Sequence, residues 1–424
     1  MPGSRTPHQA QVDLADPDIF SCPYESYDRL RDEAPIHRSR QGRFLSTRYD
    51  EVAQGFADHE HLSRDMVGFF DPARPTRTDL IWRSEEARRI FAEEGWDAWP
   101  HGAVLFADPP LHTRYRKFAE PMFSPKRVKT VMPFIEAKVH ALIDDFAAAG
   151  HAEFVDEFAT PLPMAVICHM LGFPEADLPA LKSWSTAMGD AMSGLQDESA
   201  EIACAKALVA CQHYFVAGLK ERRSNPRDDI LSEIAALEDN PDFGLAECLS
   251  LISSILIGGN ESTTNALSSG LWLMLDTPGL ADRLRAEPKL IRNFVEETLR
   301  LESPFQFFTR AVSQACVLGG QALAPGDLID LYLGAANRDA SRFPDPSSID
   351  LQRPSPASHL AFGAGIHRCL GNVLARIELQ FAFETLLNRL DGMTLSSHNS
   401  FARMQHPIFR GLEALHIDFV PEAR

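Results

Sequence analysis

Residues 362–371 read FGAGIHRCLG, a stretch in which three glycines surround one histidine, one arginine and one cysteine. A helix is predicted to follow it, because apolar residues recur there at the spacing of one helical face, at Leu370, Leu374, Ile377 and Phe381. Cys369 therefore lies at a helix N-terminus, where free amide donors and the positive end of the helix dipole favour an anion. The position predicts a cysteine held as a thiolate.

The glycines of this stretch fit the same interpretation. Gly363, Gly365 and Gly371 let the backbone turn tightly and approach the sulfur, so that amide donors can tune it. A thiolate in such a loop could be a nucleophile, a redox sensor or a metal ligand. The simplest alternative is a buried cysteine without a chemical role.

Composition limits the class of protein. A chain of 424 residues with 45% apolar content can bury a large core, in one large domain or in two to three smaller ones. The net charge of -18 argues against nucleic-acid binding, and seven cysteines without a C-x-x-C pair argue against disulfides and zinc. The N-terminus lacks an export signal and no apolar run reaches spanning length, so we expect a cytoplasmic protein without a membrane partner.

The pattern along the chain predicts a mainly α protein with small β-sheets. Apolar residues recur at helical spacing in 137–146, 203–219 and 249–275. Strand-like segments are short, and they lie at 36–47, 311–323 and 413–420. No repeat or composition break divides the chain, so we expect a single large domain over 1–424 and a monomer.

The helix predicted over 249–275 carries the polar stretch GGNESTT at 258–264. Two glycines weaken a helix by roughly 1 kcal/mol each, and hydroxyls can bond back to earlier carbonyls, so the helix is expected to bend or open there. Glu261 in such an apolar element needs a partner, water or a function. The alternative is a satisfied core carboxylate.

The cysteine stretch resembles the heme-binding loop of cytochrome P450, whose pattern is F-x-x-G-x-x-x-C-x-G. Phe362, Gly365, Cys369 and Gly371 match every fixed position. The resemblance extends over about 19–419, with 1–18 as an N-terminal extension, and it implies the cytochrome P450 fold. It also implies that Cys369 is the axial ligand of the iron of heme b, with O2 as cosubstrate.

The same resemblance assigns the polar stretch of the long helix to oxygen binding and proton delivery. Gly258 then contributes to the groove over the heme, Glu261 is the acid, and Ser262 is the alcohol. The family usually has threonine at the position of Ser262, so Thr263 is an alternative source of the hydroxyl. Both residues stay candidates.

Further motifs match the family in order. Glu297 and Arg300 lie three residues apart and resemble its Glu-x-x-Arg pair, with Arg353 as the arginine that joins them in holding the heme loop. By itself such a pair is most often a solvated surface salt bridge. The resemblance also implies four residues that bind the heme propionates: His112, Arg116, Arg310 and His367.

Electrons must come from outside this chain. There is no G-x-G-x-x-G fingerprint after a strand and no length for a reductase, so we expect no flavin or NAD(P)H site and a separate ferredoxin with its reductase. A locally basic surface could steer the acidic ferredoxin, and the alternative is a solvated helix face. Its residues are Arg114, Lys117, Lys126, Arg127, Lys129 and Arg368.

The substrate pocket is predicted from the segments that line it in the family. They offer Phe69, Phe70, Ile257, Phe305, Phe307, Phe308, Ile408 and Phe409. So many phenylalanines favour a compact apolar or aromatic substrate. The aromatic and charged segment 66–101 is expected to form a lid, or else a surface excursion. Arg410 could bind a substrate carboxylate, but an exposed arginine at a turn is the preferred interpretation.

Together these features predict a heme-thiolate monooxygenase that inserts one oxygen atom from O2 into an apolar organic molecule. A peroxygenase that uses hydrogen peroxide is the alternative among enzymes, and the presence of Glu261 and Ser262 weighs against it. A non-catalytic heme protein, such as a gas sensor or an electron carrier, is the alternative outside enzymes. It predicts a closed distal side, whereas the glycine-rich helix predicts an open one.

Overall fold

The computed structural model describes residues 8–9, 12–14, 16–65, 84–94, 103–193, 197–237, 240 and 243–421. Helices dominate these residues, as predicted. Their bounds are α1 Pro17–Phe20, α2 Tyr24–Glu33, α3 Tyr49–Ala57, α4 Glu85–Glu94, α5 Ala103–Phe106, α6 Leu111–Ala119, α7 Pro125–Phe146, α8 Pro161–Leu171, α9 Leu178–Ser193, α10 Glu198–Ser224, α11 Ile230–Leu237, α12 Leu245–Asp276, α13 Leu280–Ala286, α14 Ile291–Leu301, α15 Leu333–Ala336 and α16 Asn372–Arg389.

The strands are short and form small sheets, which confirms the predicted fold class. They are β1 His8–Gln9, β2 His37–Arg38, β3 Phe44–Ser46, β4 Leu62–Ser63, β5 His151–Glu153, β6 Phe308–Val312, β7 Cys316–Leu318, β8 Gln321–Leu323, β9 Leu328–Leu331, β10 Thr394–Leu395 and β11 His416–Asp418. One mixed sheet has the order β1-β2-β3-β9-β6-β4, and a second has the order β10-β11-β5. All three predicted strand regions contain strands.

The hairpin β7-β8 shows how local sequence determines a turn. Gly319 and Gly320 have φ angles of 55° and 78°, in the left-handed region that glycine adopts without strain. Two such residues in succession match the backbone twist of a tight hairpin. Cys316 consequently pairs with Leu323.

Contacts divide the chain into two units. Unit 1 comprises Met1–Ser63, Met132–Leu162 and Ser262–Arg424. Unit 2 comprises Arg64–Val131 and Pro163–Glu261. The single-domain expectation stays a prediction.

Unit 1 has its core where helices cover the mixed sheet. Val52 and Phe56 of α3 pack against Ile329 and Leu331 of β9, and all four are buried. α14 packs against α16 beside this layer. The chain segment that carries Cys369 therefore lies between two helices, α14 and α16, that pack against each other.

Unit 2 is built around α10, which packs against α4, α9 and α11. A buried ion pair joins Arg222 of α10 to Asp229 at 2.7 Å, and Arg222 also donates to the carbonyl of Gly172. By length and composition α10 could cross a membrane, but half of its apolar window is buried, as in a core helix.

The local opening that the polar stretch allows does not occur, because α12 is α-helical without interruption. Its polar side chains bond outside the helix: Asn260 donates to Ser185 Oγ at 3.1 Å, and Thr264 donates to the Ala159 carbonyl at 3.1 Å. Gly259 packs so closely on Ile167 that a Cβ would lie 2.4 Å from that side chain. Tertiary contacts thus offset the weak local helix propensity.

We expect Gly270→Ala in α12 to destabilise the protein by about 1–3 kcal/mol, because overpacking a tight interior strains it. A Cβ at Gly270 would lie 2.4 Å from Phe383 Cζ and 3.1 Å from Thr298 Cγ2. Gly258→Ala is the control on the same helix: its Cβ would meet no atom within 4 Å, so this variant should keep its stability or gain up to about 1 kcal/mol. Urea denaturation followed by circular dichroism measures both, and equal losses would contradict the packing argument.

Candidate active site

The loop 362–371 precedes α16, whose N-cap is Gly371. The Cys369 amide donates to the Phe362 carbonyl at 2.9 Å and closes the loop. Gly365 has a φ of 68°, and a Cβ there would lie 2.6 Å from the Phe56 carbonyl oxygen of α3. Only glycine fits this position, so the loop can pack directly against the backbone of α3.

The residues around Cys369 fit a heme. Cys369 is half-buried and forms no disulfide. Within the described ranges no group of three or more His, Cys, Asp or Glu side chains could hold a metal ion. A Cβ at Gly363 or Gly371 would meet no atom within 4 Å, which leaves space for a flat ring against the loop.

Glu297, Arg300 and Arg353 lie together in unit 1, all buried. Glu297 Oε1 accepts from Arg300 Nε at 2.7 Å and from Arg353 Nε at 2.9 Å. Burial opposes ionisation of Glu297, but the two arginines outweigh it and hold the pKa of this carboxyl below its usual range. The cluster is an interior ion network rather than a solvated surface pair.

The neighbouring acid, Glu296, forms a second network that sequence reasoning missed. It pairs in bidentate fashion with Arg376 of α16, at 2.6 and 3.0 Å, and Arg376 lies over the Phe362 ring at 4.3 Å. His359 donates from Nε2 to Glu296 Oε2 at 2.9 Å, and its Nδ1 accepts from the Ala361 amide. Burial lowers the pKa of His359, so this ring is a neutral donor. Two adjacent acids on a core helix were the available signal.

Glu261 is buried in α12 and is ion-paired. Lys182 Nζ lies 2.5 Å from Glu261 Oε1, and Asn260 Nδ2 donates to the same oxygen at 3.3 Å. The same charges act on Asp190. Burial raises the pKa of its carboxyl, and the negative charge of Glu261 raises it further, whereas the positive charge of Lys182 lowers it. Lys182 lies 79 positions before Glu261, and no sequence signal connected the two.

One face of α12 is open. Ser254, Gly258 and Ser262 follow one another at intervals of four residues, and none of them is buried, although most of the helix is. Thr263 points elsewhere and is only 4% exposed. Of the two candidate hydroxyls, that of Ser262 shares the open face with Gly258.

The four predicted propionate ligands lie on three elements: α6, β6 and the cysteine loop. In unit 2, His112 is buried on α6, and Arg116 follows one turn later, with its Nε 2.9 Å from Glu120. In unit 1, Arg310 is buried on β6, and His367 lies within the cysteine loop. Their contacts with a propionate stay predictions.

Three of the predicted pocket residues form a half-buried aromatic and aliphatic surface in unit 1: Phe305, Phe308 and Ile408. The Phe305 ring stacks on Phe308 at 4.9 Å and contacts Phe409, which is buried, at 4.8 Å. Phe307 packs instead against Tyr332, in a different core cluster. Ile257 is buried on α12 in unit 2.

The predicted lid is described only in part, and Arg410 differs from its prediction. Phe69 and Phe70 lie outside the described residues, as does most of the expected lid 66–101, of which 84–94 is described and contains α4. The interpretation of Arg410 as an exposed turn residue was wrong. It is 5% exposed, and its Nε lies 2.9 Å from Glu302.

The predicted basic surface is only partly available in unit 2. Lys117, Lys126 and Lys129 are exposed. Arg127 contacts Asp228 at 3.1 Å and also pairs with Glu233, so acids of this unit neutralise its charge. In unit 1, Arg368 is exposed beside Cys369, and in unit 2 Arg114 is half-buried.

Comparisons with known proteins agree on one family. The sequence model described as Cytochrome P450 matches residues 212–400. Cytochrome P450 107B1 of Saccharopolyspora erythraea is 34% identical over 92% of this chain and 94% of its own length. Cytochrome P450 monooxygenase PikC of Streptomyces venezuelae is 33% identical, over 94% and 92% respectively.

Solved structures give the same result. The crystal structure of CalO2 has a TM-score of 0.88 at 29% identity and covers 98% of this chain and 100% of its own. P450BioI, solved with an acyl carrier protein that bears hexadec-9Z-enoic acid, has a TM-score of 0.84 at 30% identity, over 95% and 99%.

The Glu296 network predicts that part of the free energy of unfolding is lost at low pH. Burial opposes ionisation of Glu296, but His359 and Arg376 lower its pKa to about 2. The unfolded chain protonates this group near its usual pKa, so the contribution is present above about pH 4.5 and is lost as the pH falls towards 2. Glu296→Gln should therefore differ most from wild type at pH 6, and the difference should shrink by up to about 3 kcal/mol at low pH.

Urea denaturation at pH 6, 4.5 and 3 measures this difference. Glu384→Gln, which changes an exposed acid on α16, is the matched control and should follow the wild type. A constant gap between the Glu296 variant and the wild type across this range would contradict the assignment.

Proposed function

This chain belongs to the cytochrome P450 family of heme monooxygenases, and we propose that it inserts one oxygen atom from O2 into a compact apolar or aromatic molecule, with electrons from a separate ferredoxin and its reductase. The observation that carries the proposal is Cys369 in a glycine loop that two buried ion networks support. When bound, the heme supplies the activation of O2, and the thiolate supplies its axial ligand. Phe362 and Gly371 would border the ring, and His112, Arg116, Arg310 and His367 would hold its propionates.

Proton delivery is assigned to Glu261 and Ser262. Lys182 holds Glu261 Oε1 and is itself 31% exposed, so it connects the buried carboxylate with solvent. Release of this ion pair lets Glu261 take up a proton and pass it to the Ser262 hydroxyl on the open face of α12. Thr263, which is buried away from that face, has a packing role.

The substrate class follows from the half-buried apolar surface of Phe305, Phe308 and Ile408. Such a surface binds mainly by burial and ring contacts, which favours an apolar molecule without a required charge. Named relatives are in keeping with apolar substrates: a solved structure of CYP267B1 holds myristic acid, and one of CYP109E1 holds testosterone.

The ferredoxin proposal is supported by the exposed lysines of unit 2. Among the described residues of the unit, no acid forms an ion pair with Lys117, Lys126 or Lys129, in a chain of net charge -18. An acidic ferredoxin would be steered to such a local surface. Arg114 of the same unit adds to it, whereas Arg127 contributes less because Asp228 and Glu233 pair with it. In unit 1, the exposed Arg368 beside Cys369 is a further candidate contact for the ferredoxin.

The heme-loaded enzyme should show a shift to high spin with a compact aromatic substrate, and NADH with ferredoxin and its reductase should then yield product labelled from ¹⁸O2. Cys369→Ala should lose the thiolate spectrum of the ferrous-CO complex. Turnover with hydrogen peroxide alone would favour the peroxygenase. The absence of any spin shift across a broad ligand panel would favour the sensor or carrier.

The amount of product formed per NADH consumed, called the coupling, should show which hydroxyl delivers the proton, that of Ser262 or that of Thr263. We expect Ser262→Ala to lower the product formed per NADH at least about 10-fold, because loss of a positioned proton donor typically costs 10² or more in rate. Thr263→Ala should keep the coupling and lose stability instead. Ser254→Ala, on the same open face two turns earlier, is the matched control. Loss of coupling in the Thr263 variant alone would reverse the assignment.

A further inference from the structure

A second cavity lies within unit 1 at the C-terminal end of α12. It has a volume of about 1130 Å³, and its walls contain no residue assigned above to the heme or the substrate. Apolar walls come from Trp272, Leu273, Leu301, Ile349 and Phe401. Phe401 is 40% exposed and has a φ of 54°, a conformation that is uncommon for a bulky residue.

The floor of this cavity carries excess positive charge. Three arginines surround the single buried carboxylate of Glu302: Arg410 Nε at 2.9 Å, Arg338 Nη2 at 3.3 Å and Arg403 Nη1 at 3.4 Å. The side chains of all four are at most 12% exposed. Within this buried cluster one carboxylate faces three guanidinium groups, and the other two acids of the cavity, Asp276 and Glu413, are exposed to solvent.

Two of these arginines have their donors satisfied by the protein. Arg410 donates to the Tyr24 hydroxyl and to the carbonyls of Phe20 and Ser21. Arg338 donates to the carbonyl of Leu301 and stacks on the Tyr24 ring at 3.5 Å. Both belong to the scaffold of the cluster.

Arg403 differs. It is 7% exposed, and its Nη1 is buried without a hydrogen-bond partner among the described residues. Its guanidinium lies over the Trp272 ring at 4.6 Å, and an antiparallel bridge to Leu412 fixes its backbone. Burial lowers the pKa of this guanidinium, and the charge of Glu302 opposes that effect only in part. A bound anion would oppose it further.

We propose that this cavity binds a small organic monocarboxylate, with its carboxylate on Arg403 and its apolar body against Trp272 and Phe401. The planar guanidinium presents paired donors that match a carboxylate. Asp276 and Glu413 line the same cavity and are exposed, so they repel a multiply charged anion more strongly than a monoanion. The site thereby favours a carboxylate over phosphate or a nucleotide.

Isothermal titration calorimetry on the heme-loaded enzyme tests the site with 3-phenylpropionate as the probe. The enzyme is first saturated with 4-phenylimidazole, which occupies the heme pocket. We expect one equivalent of 3-phenylpropionate to bind, and both 3-phenylpropionamide and inorganic phosphate to bind at least about 10-fold more weakly. Equal binding of the amide or of phosphate would overturn the proposal, and so would loss of binding in the presence of 4-phenylimidazole.

Variants of Arg403 locate the carboxylate. Arg403→Met should weaken the binding of 3-phenylpropionate about 10-fold or more while the protein stays folded, because Arg338 and Arg410 still compensate Glu302. Arg403→Lys keeps the charge and should recover part of the affinity. Unchanged affinity in the Met variant would overturn the assignment.

Asp276→Asn provides a test that does not depend on a buried residue. Removing this exposed acid should tighten the binding of 3-phenylpropionate about two- to five-fold at low salt, and the gain should vanish at high salt. Weaker or unchanged binding at low salt would contradict the proposed role of charge at the cavity mouth. The heme spectrum should not respond in any of these titrations.

Discussion

The structure around Cys369 depends on two adjacent buried carboxylates. Glu297 holds Arg300 and Arg353, and Glu296 holds Arg376 and His359, so a single turn of α14 fixes the chain before and after the cysteine loop. Removing one partner of a buried ion pair costs about 3–5 kcal/mol, because the other charge stays behind without compensation. The loop is therefore rigid for an electrostatic reason, and the thiol keeps one position.

The long helix α12 is stable although one of its faces is open. Asn260 and Thr264 donate to partners outside the helix, and Gly259 packs on Ile167, so three sides of the polar stretch are satisfied. The fourth side carries Gly258 and Ser262, where no side chain fills the space beside the glycine. The same residues that look destabilising in sequence leave an open face on a stable helix.

Much of this arrangement could be predicted from the sequence, because local periodicity and turn chemistry determine it. The helix after Cys369, the Gly319-Gly320 hairpin and the Glu297 pair all depend on residues a few positions apart. The failures involve distant partners. Lys182 lies 79 positions from Glu261, and Arg410 is buried because Glu302 lies 108 positions away. Burial of a charge depends on the fold around it, which local patterns do not contain.

The buried ion clusters around Glu297 and Glu302 differ in whether all their guanidinium groups find hydrogen-bond acceptors. Arg300 and Arg353 outnumber Glu297, yet their remaining donors bond to backbone carbonyls such as those of Pro346 and Pro344. Around Glu302 the same holds for Arg410 and Arg338 but not for Arg403. A buried guanidinium nitrogen that makes no hydrogen bond, such as Arg403 Nη1, lowers stability, since its lost hydration is not replaced. Because the cluster at Glu297 shows that this fold can satisfy surplus guanidinium groups with carbonyls, stability alone does not explain Arg403, and a ligand does.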